Sequence, residues 1–157
     1  MKAWVGLVVR LVLAGVWLSA GVIKFEDDAG TVRAVRAYDL LPESFVPTFG
    51  HLLPVVEIVV GGLLVLGLLT RGTGVVSGLL LLMFIFGISS AWARGLQIEC
   101  GCFGGGGLKE NATAGYLRDI LRDIGLVLLS CWLVWVPRTR LSLDGVLFRP
   151  LERYADD

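Results

Sequence analysis

Cys100 and Cys102 flank Gly101 in the stretch IECGCFGGGG, Ile98–Gly107. Two thiols at this spacing can cycle between dithiol and disulfide, bind a soft metal, or stay inert. A disulfide spanning one residue must hold its Cα atoms within about 4.4–6.8 Å, so the chain has to turn at Gly101. A ring that small is expected to be strained, and strained disulfides are the more oxidising and labile ones. Exchange also needs an accessible sulfur and a stabilised thiolate. Gly104–Gly107 leave the backbone free to fold closely over a surface, and Arg94, Lys109, Arg118 and Arg122 are cations expected nearby. Zinc fits less well: it takes four ligands, usually with wider cysteine spacing, and the sole histidine, His51, lies in another segment. Two thiolates would suffice for copper(I), so a soft-metal protein stays open as an alternative, although no metal site is expected.

The elements that must position this pair are apolar. Of 157 residues, 55% are hydrophobic and 18% are charged, with no net charge. A chain this small could not hide so much apolar surface in a soluble core, so the lipid bilayer is the expected partner. Nothing resembles a basic stripe or a nucleic-acid motif, so no nucleic acid is expected. About 20 apolar residues cross the hydrocarbon, and four stretches qualify: 3–23, 50–69, 73–93 and 117–136. The expected fold is all-α, an integral membrane four-helix bundle over residues 1–140 with a polar tail at 141–157. The first apolar run is longer than a signal-peptide core, so it is read as a retained span.

Val32, Val35 and Tyr38 recur at helical spacing between spans one and two, with Arg33 and Arg36 on other faces. A short amphipathic surface helix is expected there, ended by Pro42. The short TRGT join makes spans two and three antiparallel neighbours. Gly74 and Gly78 suit close helix packing. Cys131, deep in span four, reads as a small buried apolar residue.

Four spans place both termini on one side of the cell membrane. The basic residues are almost evenly shared between the two sides, so charge bias decides little. The arginine-rich tail favours cytoplasmic N- and C-termini, which puts the cysteine loop on the extracytoplasmic side.

Ionisable residues inside spans are functional candidates by default, because lipid exposure costs them several kcal/mol. Arg10 and Glu57 fall within spans one and two, with Lys24 at the outer end of span one as a second partner for Glu57. In the sequence YLRDILRDIG, Arg118 and Arg122 share a face, as do Asp119 and Asp123, and Asp119 can pair with Arg122. This cluster would hold the cysteine loop, tune its thiolates or bind a polar head group. A solvated helix end with its own salt bridges is the plainer reading.

These residues together resemble the MauE branch of the DoxX-like membrane proteins. The resemblance rests on RLVLAGVWLSAGVIKF (Arg10–Phe25), YDLLP (Tyr38–Pro42), LPVVEIVVGGLLVLGLLTR (Leu53–Arg71), CGCFG (Cys100–Gly104) and the Arg118–Asp119 pair. CGCFG after span three is the branch's more telling mark. The resemblance implies a four-helix membrane bundle linked to methylamine utilisation, where such proteins help form disulfides in an amine dehydrogenase subunit. Relatives in the wider family are associated with quinone-linked thiol or sulfur oxidation. It carries Cys100 and Cys102 over as the redox pair, and Arg10, Lys24 and Glu57 as an embedded polar set.

The expectation is therefore a thiol–disulfide oxidoreductase or a subunit of one. Its partner would be an extracytoplasmic thioredoxin-like or other dithiol protein, and its candidate cofactor a membrane quinone held near Asp119, Arg122 and Glu57. The rival is a non-catalytic membrane subunit that docks an extracytoplasmic oxidoreductase.

Overall fold

The computed structural model describes residues 2–98 and 112–136, and these are all helical, with short links. Five helices follow in order: α1 Lys2–Glu26, α2 Asp28–Ala37, α3 Val46–Leu66, α4 Thr70–Ala93 and α5 Ala112–Trp135. Cys100, Cys102 and the tail from residue 137 lie outside the described residues.

Three helices are long and apolar enough to cross a membrane: α1 from Trp4, α3 and α4. The fourth expected span, α5, is long enough, but every 18-residue stretch of it contains Arg118, Asp119, Arg122 and Asp123. Its charges, not its length, set it apart. The outward faces are apolar: Phe86 is 67% exposed, Leu128 65% and Leu79 61%. Water would penalise such a continuous surface, whereas lipid accepts it.

Helix boundaries move from their expected places for local reasons. α3 begins at Val46 because Pro47 falls in its first turn, where its missing N–H costs nothing. It ends at Leu66, before the expected residue 69. Gly67 adopts φ 65°, and the Leu68 N–H bonds the Leu63 carbonyl at 3.1 Å, closing the helix in a Schellman-like turn. The bend to α4 is therefore at Gly67–Leu69, one turn before TRGT. The amphipathic helix forms as α2, but stops at Ala37, ahead of Pro42. Asp39 takes φ 48° just beyond it. Asp27 caps α2 by accepting the Gly30 N–H at 3.0 Å. A Cβ on residue 30 would meet the Asp27 carboxylate at 2.0 Å, so glycine lets the cap take this close geometry.

The largest helix contacts join α1 to α3 and α4 to α5. Small residues set both. A Cβ at Gly21 would stand 2.7 Å from Ile58, and one at Gly61 the same distance from Leu18. On the other pair, Gly74 and Gly78 face Ser130, as their spacing suggested. A buried hydrogen-bond chain crosses between the pairs: Trp17 Nε1 donates to Ser77 Oγ at 2.7 Å, and Ser77 shares a bond with Ser130 at 3.0 Å. Around it Leu13, Leu64, Leu81 and Leu133 fill the core. Cys131 corrects its expectation: it sits on the exposed face of α5, a free thiol turned away from this core.

Candidate functional site

The ends of α1, α4 and α5 that lie nearest α2 carry the polar residues. Lys24 belongs to the last turns of α1, yet it is 1% exposed. It is sealed because α2 folds back over it. The Thr31 hydroxyl on α2 donates to the Lys24 and Asp27 carbonyls at 3.2 and 3.1 Å, fixing that corner. Val32 on α2 packs against Gly50 on α3, and His51 Nδ1 meets the Asp28 carboxylate at 2.6 Å.

Lys24 Nζ donates to Glu57 Oε1, and the side chains are 2% and 0% exposed. The ammonium also lies 4.8 Å from the centre of the Phe84 ring, close enough for a cation–π attraction. Glu57 lies in the middle of α3, because that helix starts four residues earlier than its apolar pattern suggested. Lys24, the second of its two candidate partners, is the one it bonds. Arg10 is buried too, at 2% exposure, but about four turns of α1 separate it from Lys24, roughly 21 Å of rise. It belongs to the other half of the helices.

On α5, Arg122 holds both carboxylates. Its Nη1 lies 3.2 Å from Asp119 Oδ1, the expected pairing, and its Nε and Nη2 donate to Asp123 Oδ1 at 3.0 and 2.9 Å. Arg118 is exposed. Asp123 is 2% exposed and close enough to Lys24 for their charges to act on one another. Lys24–Glu57 and Asp119–Arg122–Asp123 thus form one charged neighbourhood, buried at Lys24, Glu57 and Asp123 and partly exposed at Asp119 and Arg122. Within it, Glu57 Oε2 and Asp123 Oδ2 have no hydrogen-bond partner among the described residues. Buried carboxylate oxygens left in that condition are costly.

Two tyrosines complete the site, and the sequence reading gave neither this role. The Tyr116 hydroxyl, on α5, accepts the Ile98 N–H at 2.9 Å and stands 2.7 and 2.9 Å from the Leu96 and Ile98 carbonyls. It pins the chain two residues before Cys100. Tyr38, after α2, packs on Gly87. Burial pushes its phenol well above the ordinary range, and the charges of Tyr116, Asp119 and Asp123 push the same way. Arg94, at the end of α4, reaches back to the Tyr38 and Asp39 carbonyls. A recurring residue class would not reveal these roles; only the packing of Tyr38 on α4 and of Tyr116 on the chain after α4 does.

A cavity of about 320 Å³ opens beside Lys24, between α2, α3 and α4. Asp119, Arg122 and Glu57 do not line it; Lys24 is the member of the expected polar set that does. Among the described residues no group of three or more His, Cys, Asp or Glu side chains could hold a metal.

Long apolar helices with apolar outward faces define a helical membrane protein. The chain belongs to the MauE family: the family model described as methylamine utilisation protein MauE matches residues 2–136. The family's description connects it with methylamine utilisation. No curated protein and no solved structure matches the chain significantly.

Proposed function

We propose that this MauE-family protein is a membrane-embedded thiol–disulfide redox protein, with Cys100 and Cys102 as its exchanging pair. The observation that carries the reading is the charged neighbourhood of Lys24, Glu57, Asp119, Arg122 and Asp123, buried at Lys24, Glu57 and Asp123, at the end of the helices from which the cysteine segment departs. Charges held inside apolar helices are expensive and mark function more often than architecture. In this reading the site's part is proton transfer: Glu57 Oε2 and Asp123 Oδ2, without hydrogen-bond partners among the described residues, take up the protons of the thiols.

In the proposed cycle a thiolate of a partner dithiol attacks one sulfur of the Cys100–Cys102 disulfide. That S–S bond breaks, a mixed disulfide forms, and the other cysteine leaves as thiolate. The partner's second thiolate then attacks the mixed disulfide. The partner leaves oxidised, and Cys100 and Cys102 hold two electrons and two protons. A membrane quinone takes both pairs and becomes quinol, restoring the disulfide. The cysteine segment faces the extracytoplasmic side, where a thioredoxin-like or other dithiol protein can reach it, and both termini are cytoplasmic.

Replacing each cysteine in turn by serine tests the cycle. With the partner's second cysteine replaced by serine, the native chain accumulates a mixed disulfide, visible on a non-reducing gel and lost on reduction, whereas Cys100→Ser and Cys102→Ser each abolish partner oxidation. Unchanged partner oxidation with both cysteines replaced would instead support the non-catalytic docking subunit.

A further inference from the structure

The cavity beside Lys24 has a composition that selects a ligand. Its wall is almost wholly apolar, with Phe84 at the inner end and Lys24, Thr31 and Tyr38 as its polar exceptions. Its rim is not wet: Phe49, Met83 and Phe86 line it and are 44%, 44% and 67% exposed on the apolar outer surface. A molecule reaching this cavity arrives from the bilayer. At about 320 Å³ the space is at the small end of ligand pockets, which run about 300–1,000 Å³. It suits one ring-sized head group, with any tail left in lipid.

The charge at the inner end narrows the head group further. An ammonium carries three donors, and Glu57 accepts from one of them. Glu57 also neutralises Lys24, so a carboxylate or phosphate head would bring an uncompensated negative charge into a dry site. A neutral oxygen acceptor brings none. Three aromatic side chains, Phe49, Phe84 and Phe86, line the space, and aromatic linings pair well with a flat ring. Arg94, where the cysteine segment leaves α4, is tied to the backbone of Tyr38 in the cavity wall.

We propose that this cavity binds the head group of a lipid-soluble quinone, one carbonyl oxygen accepting a hydrogen bond from Lys24. The site is thus displaced from the Asp119, Arg122 and Glu57 position that the sequence suggested. The quinone's role as oxidant rests on the thiol–disulfide reading: two thiols and one quinone give one disulfide and one quinol, with two electrons and two protons moving from sulfur to the carbonyl oxygens. Its binding does not rest on that reading.

Binding is therefore tested apart from redox, on the full chain carrying Cys100→Ser and Cys102→Ser in lipid nanodiscs. The probe is a photoreactive azido-quinone with a short tail, and labelled peptides are mapped by mass spectrometry. Label is expected on residues 31–41 and 83–87, displaced by decylubiquinone and not by palmitate. Val35→Trp, which fills the cavity from α2, should lower it at least fivefold, and Met83→Trp serves if that variant does not fold. Exchanging the ion pair, Lys24→Met with Glu57→Leu, should weaken displacement by decylubiquinone several-fold. Label spread evenly over the lipid-facing helices, label unmoved in folded filling variants, or displacement by palmitate as effective as by decylubiquinone would each overturn the proposal. If the serine-substituted chain binds the quinone while the native cysteines never exchange, the redox reading fails and this site stands.

Discussion

Lys24 and Glu57, on α1 and α3, form an ion pair that the surrounding helices close off almost completely. Its energetics are asymmetric. A buried pair gains little over apolar residues of similar size, but removing one partner strands the other, at about 3–5 kcal/mol. Glu57→Leu should therefore lower thermal stability in detergent by about that amount. Lys24→Met combined with Glu57→Leu should recover most of it. A double variant as unstable as the single one would show that packing, not charge balance, is at stake.

Tyr116 connects α5 to the chain leading into the cysteines. Tyr116→Phe leaves the buried Ile98 N–H without its acceptor, a loss of about 1–3 kcal/mol. It should also speed alkylation of Cys100 and Cys102 without altering that of Cys131, followed by mass spectrometry. Equal rates in both proteins would mean that Tyr116 does not govern access to the pair.

The glycines of α3 offer a matched comparison. A Cβ at Gly61 would press on Leu18, including its backbone nitrogen at 3.0 Å, whereas Gly62 has nothing within 4 Å. Gly61→Ala should force α1 and α3 apart and cost about 1–3 kcal/mol. Gly62→Ala should be neutral or slightly stabilising, because alanine is the better helix former. Unfolding of the two variants side by side checks this.

Tyr38 sets an alkaline limit. The folded state raises its pKa above the ordinary 10.0, so it holds the phenolic proton more tightly than the unfolded chain does. The sign of the linkage follows: the contribution is intact below pH 10 and is lost as pH rises further. Tyr38→Phe should flatten the fall in stability above pH 10. A tyrosinate absorbance that appears for Tyr38 at or below pH 10 would contradict its burial.

Much of the helical frame was legible because a run of Leu, Val and Ile has few alternatives in lipid. The ends were less so. Pro47 looks like a break but sits in the first turn of α3, and Gly67 ends that helix inside an unbroken apolar run. Polar residues could be found one by one, since a charge among leucines stands out. Their partners were only narrowed: Glu57 had Arg10 and Lys24 as candidates, and it bonds Lys24 because of how α1 and α3 cross. Asp119 and Arg122 were readable because a single helix fixes their spacing. The contacts of Tyr116 and the cavity are products of tertiary packing and leave no periodic trace; the spacing of Tyr38 marked a helix face but not its packing on Gly87. Cys131 misled because depth along a helix does not determine which face a residue occupies.

The central claim is that Cys100 and Cys102 exchange electrons on the extracytoplasmic side of the membrane. Labelling intact cells with a membrane-impermeant maleimide, before and after mild reduction, tests it most directly. The account predicts that both residues react, and that labelling rises after reduction because part of the pair is a disulfide. Cysteines that react only after the membrane is broken, or that stay fully reduced whatever oxidant is supplied, would contradict it.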